Sequence, residues 1–364
     1  MDDRTIVALR LRNQQLTGQS AQSPVDVVAR LGAMQAQDYA GVLWSVALRM
    51  AAGSADATEA GVEAALADGR IVRSWPMRRT YHLVVAEDLR WMLALLAPRV
   101  LDAAARSRAF LEIEDGELDR ARAVVMATLA DGEPRARAAL LVALEEAGIK
   151  TNGQRGIHML VNMAQSAQIC MGPRVGKEYT FVALDAWVPV SPALDRDEAL
   201  GKLAQRYFCG HGPATIADLV RWAYMTTADA RVGVAVAGKS LVALKAGATT
   251  FFMDAEAADA GAPTEAPTLL LPGFDEILLG YSDRSAALDP AQEALWCPGG
   301  NGMFKPFLMA NGRVVGLWSR KLKKKSVDIT VEPFAPLEAD VQRAVAEQAE
   351  RYGRFLGLKA AVPS

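Results

Sequence analysis

Cysteine and histidine are both scarce in this 364-residue chain. Cys170, Cys209 and Cys297 lie far apart, are odd in number and form no CxxC pair, which excludes a disulfide framework and a zinc ribbon and points to a reducing compartment. His82, His158 and His211 are equally scattered, with no HExxH and no carboxylate cluster beside them, so no metal is expected. No GxSxG, Walker loop or GxGxxG opens a helix, and Gly299-Gly300-Asn301-Gly302 reads as a tight turn rather than a phosphate cradle. No cofactor is therefore expected. Apolar runs stay short of the roughly 18 residues that span a membrane, and the start at Asp2, Asp3 and Arg4 has no secretory pattern, so a cytoplasmic chain with no membrane partner is the expectation. A cationic excess is missing as well. Lys and Arg total 40 against 42 Asp and Glu, a net charge of −2, which excludes a uniformly basic surface but not local basic patches.

What is present is an ordinary globular composition, 51% hydrophobic and 23% charged, in a chain long enough for two or three structural units. Ser23-Pro24-Val25-Asp26 supplies a hydroxyl cap, a proline at the first helical position and an acidic third position. These predict a helix to about Met34, with Val27, Val28, Leu31 and Met34 as its core stripe. After an Ala-rich helix at 57–67, Ile71 to Ser74 and Arg79 to Val84 read as strands around Trp75-Pro76-Met77. The order of helices then hairpin returns twice. Helices at 116–129, 134–147 and 154–167 precede strands at 168–171 and 179–184, and helices near 195–208, from Thr215, and at 227–237 precede strands at 240–245 and 249–254. Small and acidic residues at 255–266 read as an exposed linker. Beyond it come short strands, an Asn311-Gly312 hairpin turn and a final helix at about 337–356.

The expected fold is α+β: three tandem winged-helix (helix-turn-helix) units and a C-terminal β-barrel-like domain. The units are placed at 1–103, 104–190 and 191–266, the last with its linker, and the C-terminal domain at 267–364. Directly behind the first apolar stripe stand two amides, Gln35 and Gln37. By composition alone the commoner reading is two surface or helix-ending glutamines.

Met34-Gln35-Ala36-Gln37 also resembles the Gln-x-Gln hallmark of the AlkZ and YcaQ superfamily of winged-helix DNA glycosylases. The resemblance continues through Arg73-Ser74-Trp75-Pro76-Met77-Arg78-Arg79-Thr80-Tyr81-His82-Leu83, Gly210-His211-Gly212-Pro213-Ala214-Thr215, Leu271-Pro272-Gly273-Phe274-Asp275-Glu276 and Pro298-Gly299-Gly300-Asn301-Gly302-Met303-Phe304. It implies three tandem winged helices with a C-terminal β-barrel, and a monofunctional glycosylase that acts on double-stranded DNA containing alkylated bases. Glutamines in place of carboxylates imply the AlkZ branch and bulky or crosslinked N7-alkylated purines. Asp38, next in the chain, leaves a carboxylate role open.

Glutamine does not titrate near neutral pH, so on this reading Gln35 and Gln37 hold and polarise a water rather than abstract a proton. DNA contacts are expected from Arg73, Arg78 and Arg79 around the first hairpin, with His82 as a stacking or hydrogen-bonding candidate. Arg174 and Lys177 on the second hairpin, and Lys323 and Lys324 in the run from Arg320 to Lys325, complete the set. The chain is expected to act as a monomer in the cytoplasm, nucleoid-associated when bound to DNA. The competing readings are a winged-helix transcriptional regulator without catalysis and a protein-binding scaffold.

Overall fold

The computed structural model describes residues 1–361. Its mixed α+β chain begins with a helix at Asp3–Asn13, which the sequence reading did not anticipate, followed by helices Pro24–Leu31, Tyr39–Leu48 and Glu59–Ala67. Ser23 and Asp26 close both arms of a capping box. That helix stops at Leu31, short of the expected Met34, because Gly32 turns the chain at φ 74°. Met34–Gln35 is instead a short edge strand of a three-stranded sheet, paired to Thr80–Val85, which pairs in turn with Ile71–Met77. Arg78 and Arg79 form the two-residue turn of that hairpin with φ of 54° and 59°. Such a turn suits the strand twist, but left-handed backbone at non-glycine residues costs ~1–3 kcal/mol each.

A 25-residue helix, Ala86–Phe110, follows. It escaped the sequence reading because it starts without a side-chain cap and carries Pro98 inside, a residue normally read as a breaker. The next group holds helices Asp115–Thr128, Arg137–Glu146 and Arg155–Gln165 before the strands Ile169–Met171 and Thr180–Ala183. A third holds helices Arg196–His211, Ile216–Ala223 and Thr227–Ala237 before the strands Leu241–Ala246 and Thr249–Asp254. The stretch expected as a bare linker contains a short helix, Ala255–Asp259, and Arg12 donates to the carbonyls of Ala257 and Gly261.

At the C-terminus Leu269–Leu271, Phe307–Ala310, Arg313–Leu322, Ser326–Pro333 and Lys359–Ala361 form one five-stranded sheet in that order. Among the described residues its two outer strands do not pair with each other, so it is an open half-barrel rather than a closed barrel. Asn311 and Gly312 take the positive φ values, 51° and 76°, that the hairpin turn requires. The helix Ala339–Leu356 packs on the sheet, with Tyr352 and Phe355 around Trp44 of the first group.

Three apolar cores result, and they do not follow the linear order of the units. Buried residues from Ile6 to Val85 share one core with Leu269 to Phe355, so the C-terminal sheet folds back on the first unit. The long helix shares a second core with the third group, and the second group holds a third core with Trp75. The first seam carries a fully buried ion pair: Arg49 donates to both Asp275 oxygens at 2.9 and 2.7 Å, and Ser45 donates to the same carboxylate at 2.5 Å. Asp275→Ala leaves the guanidinium uncompensated and is expected to lower the unfolding free energy by about 3–5 kcal/mol in denaturant titration. Arg49→Met combined with Asp275→Ala should lose less than the sum of the two single changes.

Candidate active site around the glutamine strand

Three backbone groups of the segment from Gln35 to Gln37 are held by distant parts of the chain. Gln35 sits opposite His82 in the edge-strand pairing, and the Ala36 N–H donates to the Tyr81 carbonyl at 2.7 Å. The Gln35 N–H therefore points away from the sheet, where it donates to Glu276 Oε1 at 2.8 Å. The Ala36 carbonyl accepts from Arg73 Nε and Nη2 at 3.2 and 3.0 Å. The Gln37 N–H donates to the Gln35 side-chain carbonyl at 3.3 Å. Asp38 caps the following helix by accepting from the Gly41 N–H at 3.1 Å. The two amides thus occupy a two-residue strand and a helix entry. Gln35 is 8% exposed, while the Gln37 side chain faces solvent.

The cations around this strand divide into two kinds. Arg73, expected at the DNA surface, is only 5% exposed. Its guanidinium lies 3.8 Å from the ring centre of Tyr81, 4.6 Å from Tyr179 and 5.5 Å from Tyr39. It faces three rings and the Ala36 carbonyl, which makes it a brace between the two glutamines rather than a free phosphate ligand. Burial lowers its pKa from the ordinary 12.5, and the tyrosines oppose that shift. His82 is fully buried and likewise offers no free surface. Its Nδ1 lies 2.9 Å from the Thr80 carbonyl and its Nε2 2.9 Å from Arg78 Nη2, so it donates to the carbonyl and accepts from the guanidinium. Arg78 is half-buried by this contact.

Arg79, Lys177 and Lys324 face solvent. Lys323 is exposed but bridges to Asp328 at 2.6 Å. Arg174 is half-buried, donating to Glu63 at 3.3 Å and lying over Tyr39 and Tyr179 at 4.7 and 5.2 Å. Tyr39, Glu63, Arg73, Arg174, Tyr179 and Met171 line a cavity of about 280 Å³ between the first unit and the second hairpin. Trp75 packs against Tyr81 and Phe181 in the core. Among the described residues no group of three or more His, Cys, Asp or Glu side chains could hold a metal, and no helix is long and apolar enough to cross a membrane.

The residue that sequence reasoning passed over is Glu276. It is 1% exposed, and besides Gln35 it accepts from Trp222 Nε1 at 3.0 Å and His211 Nε2 at 3.2 Å. Burial alone would raise its pKa, but His211, the Arg78 charge and the Gln35 N–H pull it from 4.5 down to about 2. The available signal was an Asp-Glu pair inside an otherwise apolar motif, Leu271-Pro272-Gly273-Phe274-Asp275-Glu276-Ile277.

His82 has the same pH consequence as Glu276, a loss of stability as pH falls, and differs in where the loss begins. Burial and the Arg78 charge push its pKa from 6.5 down to about 3, so below pH 6.5 the unfolded chain binds a proton that the folded chain refuses. Stability falls with decreasing pH from 6.5 toward 3, by up to about 1.4 kcal/mol per pH unit. Glu276, ionised in the fold down to about 2 against an ordinary 4.5, adds a second decline below 4.5. Denaturant titration of the wild type should show both declines, and His82→Asn should flatten the one between pH 6.5 and 5 while leaving the lower one.

A sequence model described as "DNA glycosylase AlkZ-like" matches residues 28–355. The interstrand DNA cross-link repair glycosylase of Streptomyces sahachiroi is 26% identical over 379 aligned residues, covering 98% of this chain and 96% of that protein. The solved structure of the Streptomyces sahachiroi DNA glycosylase AlkZ superimposes with a TM-score of 0.80 at 24% identity, covering 99% of both chains. With most of its length matched by the family's own pattern, this chain belongs to the AlkZ-like DNA glycosylase family.

Proposed function

We propose that this protein hydrolyses the N-glycosidic bond of N7-alkylated purines in double-stranded DNA, bulky or crosslinked adducts included, with Gln35 and Gln37 as its catalytic residues. The observation that carries this reading is the accounting of the Gln35–Gln37 backbone: three separate elements hold a segment whose second glutamine is open to solvent. Such pre-set amides suit a reaction that asks for placement more than proton transfer. A purine alkylated at N7 already carries positive charge and departs without protonation, while the sugar carbon becomes cationic. Carbonyl dipoles that orient a water and face the developing cation lower that barrier. The Gln35 carbonyl accepts one hydrogen bond from Gln37 and keeps a second lone pair for water.

The nearby carboxylates have other duties. Glu276 is enclosed by three donors and Asp38 caps a helix. The three groups of helices and hairpin serve on this reading as winged-helix units of a monomer. Arg79, Lys177 and Lys324, with Arg174 and Lys323 nearby, make phosphate contacts. The cavity beside Tyr39 and Arg73 gives room for part of a bulky adduct.

Single-turnover excision tests the reading on two duplexes, one carrying N7-methylguanine and one crosslinked at guanine N7 by a nitrogen mustard. Gln37→Ala and Gln35→Ala should each slow base release by about a hundredfold or more, the size of losing roughly 3–4 kcal/mol of preorganised polar stabilisation, with DNA affinity kept. Asp38→Asn, which preserves the cap, should stay within a few fold of wild type. Base release from neither duplex by the wild type, with DNA still bound, would leave a DNA-binding protein without this activity. Lys177→Ala and Arg79→Ala should each reduce the slope of log affinity against log salt by about 1 and leave the bound excision rate unchanged.

A further inference from the structure

We propose that Glu276 is a positioning residue for the glutamine pair: it stands in for a missing neighbouring strand, holding the outward Gln35 N–H while His211 and Trp222 hold the carboxylate in place. This inference rests on the catalytic reading of Gln35 and Gln37. Met34–Gln35 is an edge strand with a neighbouring strand on one side only, and the Gln35 N–H lies on the other. An unpaired edge N–H is free to swing, and with it the side chain that carries the carbonyl. Glu276 removes that freedom with a 2.8 Å charge-assisted bond.

The carboxylate itself cannot drift. Trp222 comes from the helix Ile216–Ala223 and His211 ends the helix Arg196–His211, so two elements of the third group grip one oxygen at 3.0 and 3.2 Å. The His211 ring is stacked on Tyr207 with centroids 4.7 Å apart. Behind it Gly280 leaves no room for any other residue, since a Cβ there would come within 2.5 Å of the imidazole. The C-terminal segment, the third group and the glutamine strand therefore meet at one carboxylate.

Holding the C-terminal segment to the first unit by an ion pair falls to the neighbouring residue. Asp275 is matched to Arg49, Ser45 and the Ile277 N–H, with no hydrogen bond to the glutamine strand. Glu276 has no Arg or Lys hydrogen bond; its donors are one backbone amide of the glutamine strand and two ring N–H groups. Burying a carboxylate on such partners is costly compared with apolar packing, which is the pattern expected when geometry rather than stability is served.

The test compares Glu276→Gln, Ser45→Ala and Gln37→Ala in single-turnover release of N7-methylguanine from a duplex, with DNA affinity, thermal melting and the amide spectrum of protein labelled with 15N-glutamine. In Glu276→Gln the carboxamide turns its NH2 either to Trp222 or to the Gln35 N–H, both of which can only donate, so the seat of the side chain is broken in either orientation. The expected result is a 10- to 100-fold slower excision at unchanged affinity, as small misplacements of reacting groups produce. The Gln35 backbone amide signal should move upfield and lose exchange protection. Ser45→Ala, which loosens the adjoining Asp275 network, should lower the melting temperature with the excision rate kept.

Wild-type excision by Glu276→Gln alongside a disabled Gln37→Ala overturns the positioning role and leaves the glutamine reading standing. Full activity of Gln37→Ala overturns the glutamine reading and this inference with it. If Glu276→Gln does not fold, Glu276→Asp, which keeps the charge but withdraws it by one methylene, carries the same two outcomes.

Discussion

Two consecutive buried carboxylates, Asp275 and Glu276, hold the molecule in its shape. They sit at the start of a four-residue helix, with Asp275 as its cap, and they face different parts of the chain. Asp275 binds Arg49 and Ser45 in the first unit, and Glu276 binds the glutamine strand and the third group. Neither could be buried alone. Desolvating an unpaired carboxylate costs several kcal/mol, so each position demands its full set of donors, and those donors can only be assembled when all three regions have docked. A chain of successive units is thereby drawn into a closed arrangement in which the C-terminal sheet shares a core with the N-terminus.

That closure shapes the site. Among the residues around Gln35 to Gln37, Tyr81 and His82 come from the neighbouring strand, Arg73 from the strand beyond, Tyr179 from the second hairpin, and Glu276 from the C-terminal side. An arginine set among three tyrosine rings stiffens the outer side of the segment, and a carboxylate fixes the inner side. The buried cations beside the glutamine segment serve structure, while Arg79, Lys177 and Lys324 stand exposed at hairpin turns. A net charge of −2 is compatible with such a surface, because local placement and not the sum governs the field a duplex meets.

Element order was largely legible. Alternation foretold the two strands of the first hairpin, although their turn falls at Arg78-Arg79 and the strand Ile71–Met77 runs through the expected break at Trp75-Pro76-Met77; Asn311-Gly312 foretold a C-terminal turn, and Ser23-Pro24-Val25-Asp26 foretold a capped helix. These are signals carried by a few neighbouring residues, and local backbone sterics enforce them. The 25-residue helix Ala86–Phe110 gave no such signal, since burial of Leu89, Trp91, Met92, Leu93 and Leu96 sustains it in place of a cap. Closure of the C-terminal strands into a barrel was expected and does not occur; whether two edges meet depends on strand tilt and on the helix packed beside them, which periodicity does not encode.

The sequence by itself determined most of the order of helices and hairpins, the Gln35 and Gln37 pair and its resemblance to a glycosylase hallmark, because each of these resides in residue identity at short range. Tertiary structure alone decided which polar groups are buried. Arg73 and His82 read as surface candidates on a chain of letters, yet one braces the Ala36 carbonyl and the other supports Arg78. Glu276 read as one acidic residue in a motif, and only the approach of Gln35, His211 and Trp222 from 241, 65 and 54 residues away gives it three hydrogen bonds. Burial is a property of what packs against a side chain, and partners that distant are brought together by the whole fold and by no local pattern.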